Sequence, residues 1–244
     1  MREVDSRGPA GDGAAAPGSG AMFDRIAARY DLLNRLLSLG RDGAWRRALV
    51  RALDLHPGDR MLDVAVGTAD VAIVALRRYP GAVAVGIDPS LGMLRLGAAK
   101  LGRRAAAGSW HLVGGDGVQL PFRSGAFAGV TIAFGIRNVP DRLAALQEMA
   151  RVTRAGGRVG VLELQVPDHG PLAPLARVWV RRVVPVAGRL LSSAEEYRYL
   201  RRSMEAFPSP AEFSSLMERA GLTRVSARPL EAGAVRLYVG EVVP

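Results

Sequence analysis

Five short β-rich runs alternate with helical stretches between residues 60 and 164, and that alternation admits very few folds. The β-rich runs are Arg60–Val66, Val83–Asp88, His111–Gly114, Gly129–Ala133 and Arg158–Leu164. Helical patterns fill Asp70–Tyr79, Leu91–Leu101 and Asp141–Thr153. Strands joined through helices run parallel and connect by right-handed crossovers, so the pattern predicts an α/β fold built on a Rossmann-like doubly wound sheet.

Both ends of the chain modify that plan. Residues 1–20 are rich in Gly, Ala, Pro and Ser without apolar periodicity, the composition of a disordered tail, which leaves 21–244 as one domain. Met22, Ile26, Tyr30, Leu33 and Leu37 recur at helical spacing and predict an N-terminal helix ending near Gly40. A second helix is expected from Trp45 to Leu53, stopped by His56-Pro57-Gly58-Asp59. Near the other end, Ser209-Pro210-Ala211-Glu212 carries an N-cap serine, proline at the first helical position and glutamate for a capping box, and Gly221 closes that helix. The runs Thr223–Ala227 and Ala234–Val242 are close enough to pair as a hairpin, so the sheet should finish with an antiparallel strand. Residues 165–208 do not keep the rhythm. They mix Leu172, Leu175, Val178 and Trp179 with Arg177, Arg181, Arg182 and Arg189, and read as a helical insertion between the fifth and sixth strands.

Composition narrows the chemistry. The absence of cysteine excludes disulfides, zinc–thiolate sites and cysteine nucleophiles, and three histidines without paired spacing argue against a metal site. Lys100 is the single lysine among 33 basic residues, against 23 acidic ones, and the net charge is +10. The first twenty residues hold two Arg against one Glu and two Asp, so the excess belongs to the folded body. A basic surface suits nucleic acid, anionic lipid or an acidic substrate. No apolar run approaches the ~18 residues that span a bilayer, and the N-terminus lacks the apolar core of a signal peptide. A cytoplasmic protein is expected.

Four segments carry candidate sites. In Met61-Leu62-Asp63-Val64-Ala65-Val66-Gly67-Thr68-Ala69-Asp70 an apolar strand enters a small-residue turn and then a helix, a geometry that brings backbone N–H groups close to a ligand. Gly67 and Thr68 form that turn, and Asp63 is a carboxylate available to a cationic or hydroxyl-rich ligand. Asp88 closes the second strand 25 positions later, where a carboxylate can accept from both hydroxyls of an adenosine ribose; nicotinamide dinucleotides and S-adenosylmethionine both fit, and so does a plain helix cap. Asp116 and Gly117, beyond the third strand, offer an acceptor for an adenine amine and a backbone N–H for a ring nitrogen. Arg137 and Asn138, after the fourth strand, would project over the reactive end of a cofactor held there.

Taken in order, these segments resemble the ubiquinone/menaquinone biosynthesis C-methyltransferases. The resemblance extends from about residue 21 to residue 242. It begins with Met22-Phe23-Asp24-Arg25-Ile26-Ala27, Arg29-Tyr30-Asp31 and Asn34-Arg35, and includes the four sites above. Phe134-Gly135-Ile136-Arg137-Asn138-Val139 is its most specific part, supported by Tyr199-Leu200, Ser203 and Phe207-Pro208. It implies a class I S-adenosylmethionine-dependent methyltransferase fold and methyl transfer to a ring carbon of a prenylated quinol. It also implies Thr68, Asp88, Asp116 and Gly117 as cofactor-binding positions, with no metal. Demethylmenaquinol is the favoured acceptor and a polyprenyl methoxybenzoquinol the alternative. Three departures stand out: Val66 replaces the family's usual Cys, Ala69 its second Gly, and Ala133 a serine found in some members.

Carbon methylation requires an electron-rich ring carbon in line with the methyl group, so the protein's part is alignment and stabilisation of phenolate character. Arg137 suits the phenolate oxygen or an activating water, Asn138 can position the same oxygen, and Tyr30 with Asp31 can close the site; a plain ion pair from Arg137 to Asp141 or Asp31 is the competing reading. Residues 171–202 are expected to form a movable helical cover whose arginines meet an anionic membrane surface, placing the protein on the inner face of the membrane. An RNA methyltransferase is the nearest rival. However, the arginines alternate with aliphatics rather than stacking aromatics, and no nucleic-acid partner is expected. A different small-molecule methyltransferase and a non-catalytic S-adenosylmethionine-binding protein stay open, as does a homodimer. A nicotinamide-dependent reductase would want G-x-G-x-x-G after the first strand, which is absent.

Overall fold

The computed structural model describes residues 20–165 and 194–243. Strands β1 (Arg60–Val64), β2 (Val83–Asp88), β3 (Trp110–Gly114), β4 (Phe127–Ala133), β5 (Thr153–Leu164), β6 (Thr223–Leu230) and β7 (Val235–Glu241) form one seven-stranded sheet in the order β3-β2-β1-β4-β5-β7-β6. The pairings β3–β2, β2–β1, β1–β4 and β4–β5 are parallel. β7 lies between β5 and β6, antiparallel to both. The doubly wound sheet with an antiparallel ending is therefore the fold that the strand–helix rhythm called for.

The described α-helices are α1 (Gly20–Leu37), α2 (Asp42–Ala52), α3 (Asp70–Arg78), α4 (Leu91–Arg104), α5 (Arg142–Val152), α6 (Ala194–Glu205) and α7 (Pro210–Arg219), with short 3-10 turns at Ile136–Asn138 and Glu231–Gly233. Alternate residues of each strand serve opposite faces. Leu62, Val64, Val130, Ile132, Val159 and Val161 pack with α5 and α7 through Leu146, Met149, Phe213 and Met217. Met61, Ala84, Ala128 and Leu162 pack with α2, α3 and α4 through Leu49, Ile73 and Leu101. α7 has the expected capping box, Ser209 accepting from Glu212 N–H while the Glu212 carboxylate accepts from Ser209 N–H.

Some boundaries differ from the sequence reading. α1 begins at Gly20, inside the segment read as tail. β1 ends at Val64 instead of Val66, since Ala65 turns into the left-handed region with φ 52°. β5 starts at Thr153, directly after α5. Of the expected insertion 165–208, residues 166–193 lie outside the described residues, as do residues 1–19 of the tail; α6 is its described helix.

The turn from β1 into α3 is built around Ala69, which caps α3 in the left-handed conformation with φ 65° and is fully buried. A side chain there costs about 1–2 kcal/mol, whereas burying one methyl group returns about 0.8 kcal/mol. Ala69→Gly is therefore expected to stabilise the protein by up to about 1 kcal/mol, read as a higher denaturant midpoint at unchanged slope. A lower midpoint would mean that the methyl group's contact with α4 at Gly97 outweighs the strain.

Candidate active site

A cavity of about 400 Å³ opens at the carboxyl ends of β1, β2, β3 and β4. This is where the winding of the sheet reverses, between β1 and β4. It is lined by Ala65 and Gly67 after β1, Gly115 to Gly117 after β3, and Phe134 and Gly135 after β4. Side chains of Asp88, Met93, Asn138 and Val139 complete it, and Phe23 of α1 lies across it. Two residues of these walls, Ala65 and Phe134, have φ 52° and 57°. A Cβ on Gly135 would lie 2.7 Å from that of Ala65, so the loops after β1 and β4 touch only because this residue is glycine.

The polar groups of this region have definite partners. Asp88 accepts from the N–H of Gly67 through one carboxylate oxygen and from that of Ser90 through the other, both at 2.8 Å. It is not the cap of α4; Ser90 is, accepting from Met93 N–H. Burial pushes the Asp88 carboxyl up, against the pull of those two amides. Asp116 is exposed on the rim and accepts from Val118 N–H at 3.1 Å, beside Gly117. Gly67, Asp88, Asp116 and Gly117 thus meet around one cavity, as the sequence reading supposed.

Asp63 and Thr68 face elsewhere. Asp63 is 1% exposed and looks into a separate space of about 30 Å³ beside Arg46, Thr68 and Phe134. Its carboxyl accepts from the Thr131 hydroxyl at 2.8 Å, and burial pushes its pKa up to about 7. The Thr68 hydroxyl donates to Asp31 of α1 at 2.6 Å and accepts from Lys100 of α4 at 2.9 Å. Lys100 also pairs with Asp31 at 2.8 Å and Asp70 at 2.5 Å. A second carboxylate of α1, Asp24, accepts from the Ser90 hydroxyl at 2.6 Å and Gly92 N–H at 2.7 Å. These contacts fasten α1 over the cavity. The charge pattern of residues 22–35 was visible in the sequence, but not which carboxylate would meet the lone lysine.

The residues after β4 divide in the same way. Asn138 lines the cavity, whereas the Arg137 side chain is 8% exposed and turns to Glu163 of β5, with Nη1 at 2.5 Å from the carboxylate. The partner is neither Asp141 nor Asp31. Asp141 instead caps α5, and Asp31 is taken by Thr68 and Lys100. Glu163 is fully buried and also accepts from the backbone N–H of Arg137 and of Leu164. Its sequence signal was an isolated acid within an apolar strand, Leu162-Glu163-Leu164. Tyr199 of α6 donates its hydroxyl to Asn138 Oδ1 at 3.0 Å. The side chain of Tyr30 lies outside the described residues.

This geometry agrees with what the chain is similar to. The model of the ubiE/COQ5 methyltransferase family matches residues 16–241. The chain belongs to that family. It is 48% identical over 219 residues to the ubiquinone/menaquinone biosynthesis C-methyltransferase UbiE of Syntrophotalea carbinolica, covering 90% of this chain and 92% of that one. It is 44% identical to the demethylmenaquinone methyltransferase of Mycolicibacterium vanbaalenii, covering 89% and 92%. Among solved structures, the phosphoethanolamine N-methyltransferase 2 of Haemonchus contortus with S-adenosyl-L-methionine gives a TM-score of 0.68 at 14% identity, covering 95% of this chain and 61% of that one. A SAM-dependent methyltransferase of Aquifex aeolicus gives 0.62 at 15%, covering 87% and 98%. The fold is that of a class I methyltransferase, and the family member described here is a methyltransferase.

The Asp63 carboxyl makes stability depend on pH in a fixed direction. Its pKa in the folded chain, about 7, lies above the ordinary 3.8, so the native state holds the proton more tightly than the unfolded state. That contribution is complete below the ordinary value and is lost as pH rises toward about 7. Asp63→Asn is expected to unfold near the wild-type temperature below about pH 4 and increasingly above it as pH rises to about 7. Parallel melting curves for the two proteins across this range would refute the shift.

Proposed function

We propose that this protein transfers the methyl group of S-adenosylmethionine to a ring carbon of a prenylated quinol, demethylmenaquinol in the first place and a methoxybenzoquinol in the second. The observation that carries the reading is the cavity, with Asp88 at the end of β2 and Asn138 after β4 lining the same space. Relatives alike over nine-tenths of the chain bear names of quinone C-methylation, and that supports the choice of acceptor.

The residues present fit such a cofactor. A 400 Å³ cavity lies within the usual range for small ligands, about 300–1,000 Å³. Each Asp88 oxygen accepts one backbone amide and keeps a lone pair for a ribose hydroxyl. Asp116 and Gly117 would hold the adenine, and Gly67 the amino-acid end; the bound cofactor supplies an electrophilic methyl group. Thr68 acts on it indirectly, by tying the Gly67 turn to α1 through Asp31. Asn138 would touch the acceptor oxygen. Arg137, next to it, is neutralised by Glu163, so its part in the chemistry is to hold the turn that aims Asn138 at the acceptor. We assign Tyr30, next to Asp31 on α1, to closing the acceptor side.

A prenylated acceptor lives in lipid, so we place the enzyme at the inner membrane surface. Seven arginines between Arg177 and Arg202 support this, three of them, Arg198, Arg201 and Arg202, exposed on α6. Among the described residues no helix is long and apolar enough to cross a membrane.

Incubation with labelled S-adenosylmethionine and reduced demethylmenaquinone in anionic vesicles should yield a ring-methylated product by mass spectrometry, with less product in neutral vesicles at high salt. Label transferred to RNA and not to quinol would overturn the reading. Asp88→Ala should weaken S-adenosylmethionine binding by roughly 1.5–3 kcal/mol in calorimetry. Arg137→Ala strips a fully buried carboxylate of its counter-charge and should lower stability by about 3–5 kcal/mol, so Arg137→Lys is the informative change. It should reduce kcat and kcat/KM together by about tenfold or more at unchanged cofactor affinity. A normal kcat in that variant would show that the planar fork of Arg137 is not needed to hold the Asn138 turn.

A further inference from the structure

The Asn138 amide has an acceptor end and a donor end, and the acceptor end is turned to Tyr199. Its Oδ1 accepts from the Tyr199 hydroxyl at 3.0 Å, across from α6. Tyr199 itself is half-buried among Arg137 on the turn after β4, Arg142 of α5 and Glu163 of β5. Burial and Glu163 push its phenol up while the two arginines pull it down, and the balance is upward, so the hydroxyl stays protonated and donates. Arg142 closes the arrangement from below, donating to the Arg137 carbonyl at 3.2 Å with its guanidinium over the Phe207 ring.

We propose that Tyr199 is a positioning residue that fixes the Asn138 side chain so that its NH2 group, and not its carbonyl, is presented to the acceptor oxygen. An amide free to turn offers a ligand either a donor or an acceptor. With its carbonyl turned to Tyr199 the amide presents its NH2 group, whose donors bind a negatively charged phenolate oxygen more strongly than a neutral phenol. The hydrogen bond between α6 and the turn after β4 thereby becomes a chemical preference for the ionised acceptor. The inference rests on the quinol reading given above and adds to it the residue that sets the acceptor's ionisation.

Tyr199→Phe keeps the ring and removes the hydroxyl. It should lower kcat/KM for the quinol about tenfold and leave S-adenosylmethionine affinity within about twofold, because the cofactor contacts lie on other loops. The rising limb of the pH–rate profile should move up by about one unit, since the phenolate loses its oriented donor. In an Asn138→Ala background the same substitution should change kcat/KM by less than about twofold. A readout free of turnover is the dissociation constant of 2-hydroxy-1,4-naphthoquinone, an anion near neutral pH, which should rise about tenfold in Tyr199→Phe and not further in the double variant. An unmoved pH limb with unchanged anion affinity would overturn the proposal, as would a full penalty persisting without Asn138. Wild-type protein inert toward quinol would overturn the acceptor reading instead, and the anion affinities would still decide the Tyr199–Asn138 pairing.

Discussion

The reversal of winding between β1 and β4 is the constraint on which the site depends. With the order β3-β2-β1-β4-β5-β7-β6, the loops leaving β1 and β4 diverge to opposite faces and a cleft opens between them. Bending the two loops around that cleft has a cost. Ala65, Ala69 and Phe134, all in these two loops, adopt left-handed conformations that disfavour side chains by about 1–2 kcal/mol each. The apolar clusters on the two faces of the sheet offset the strain and hold the loops where they are.

Three acids at or near strand ends meet three different fates, and their partners explain why. Asp88 has two backbone amides, which oppose but do not cancel the upward push of burial. Asp63 has one threonine hydroxyl and the more distant field of Arg46, too little to offset full burial, so its pKa rises to about 7. Glu163 has a guanidinium and two backbone N–H groups on its two oxygens. A buried ion pair of this kind is seldom a source of net stability, but breaking it leaves a charge that water cannot reach. Its place in the molecule is better explained by what it orients: the Arg137 turn, and through that turn Asn138.

Two carboxylates of the N-terminal helix join it to the loops around the cavity. Asp24 engages the first turn of α4, where helix N–H groups are unpaired, and Asp31 meets Lys100 and Thr68 further along. Exposed ion pairs contribute little, but Lys100 is only 12% exposed and serves two carboxylates and a hydroxyl at once. Burial raises the Asp31 carboxyl while its bonds to Lys100 and Thr68 lower it by more.

What the sequence determined by itself was the order and type of the elements, because each is written in local periodicity and turn chemistry: the five β-rich runs, the Ser209 capping box, the closing hairpin. It also placed Gly67, Asp88, Asp116 and Gly117 together, since parallel strands carry their carboxyl ends to one edge whatever the details of packing. Only the tertiary structure decided where side chains on the same short segment point. Asp63 and Val64 are neighbours, yet the period of two in a strand sends one to the Arg46 side and the other to the cavity. Arg137 and Asn138 part in the same way on a tight turn, one to Glu163 and the other to Tyr199. Those partners lie 26 and 61 residues away along the chain, and no local pattern encodes a contact over such separations.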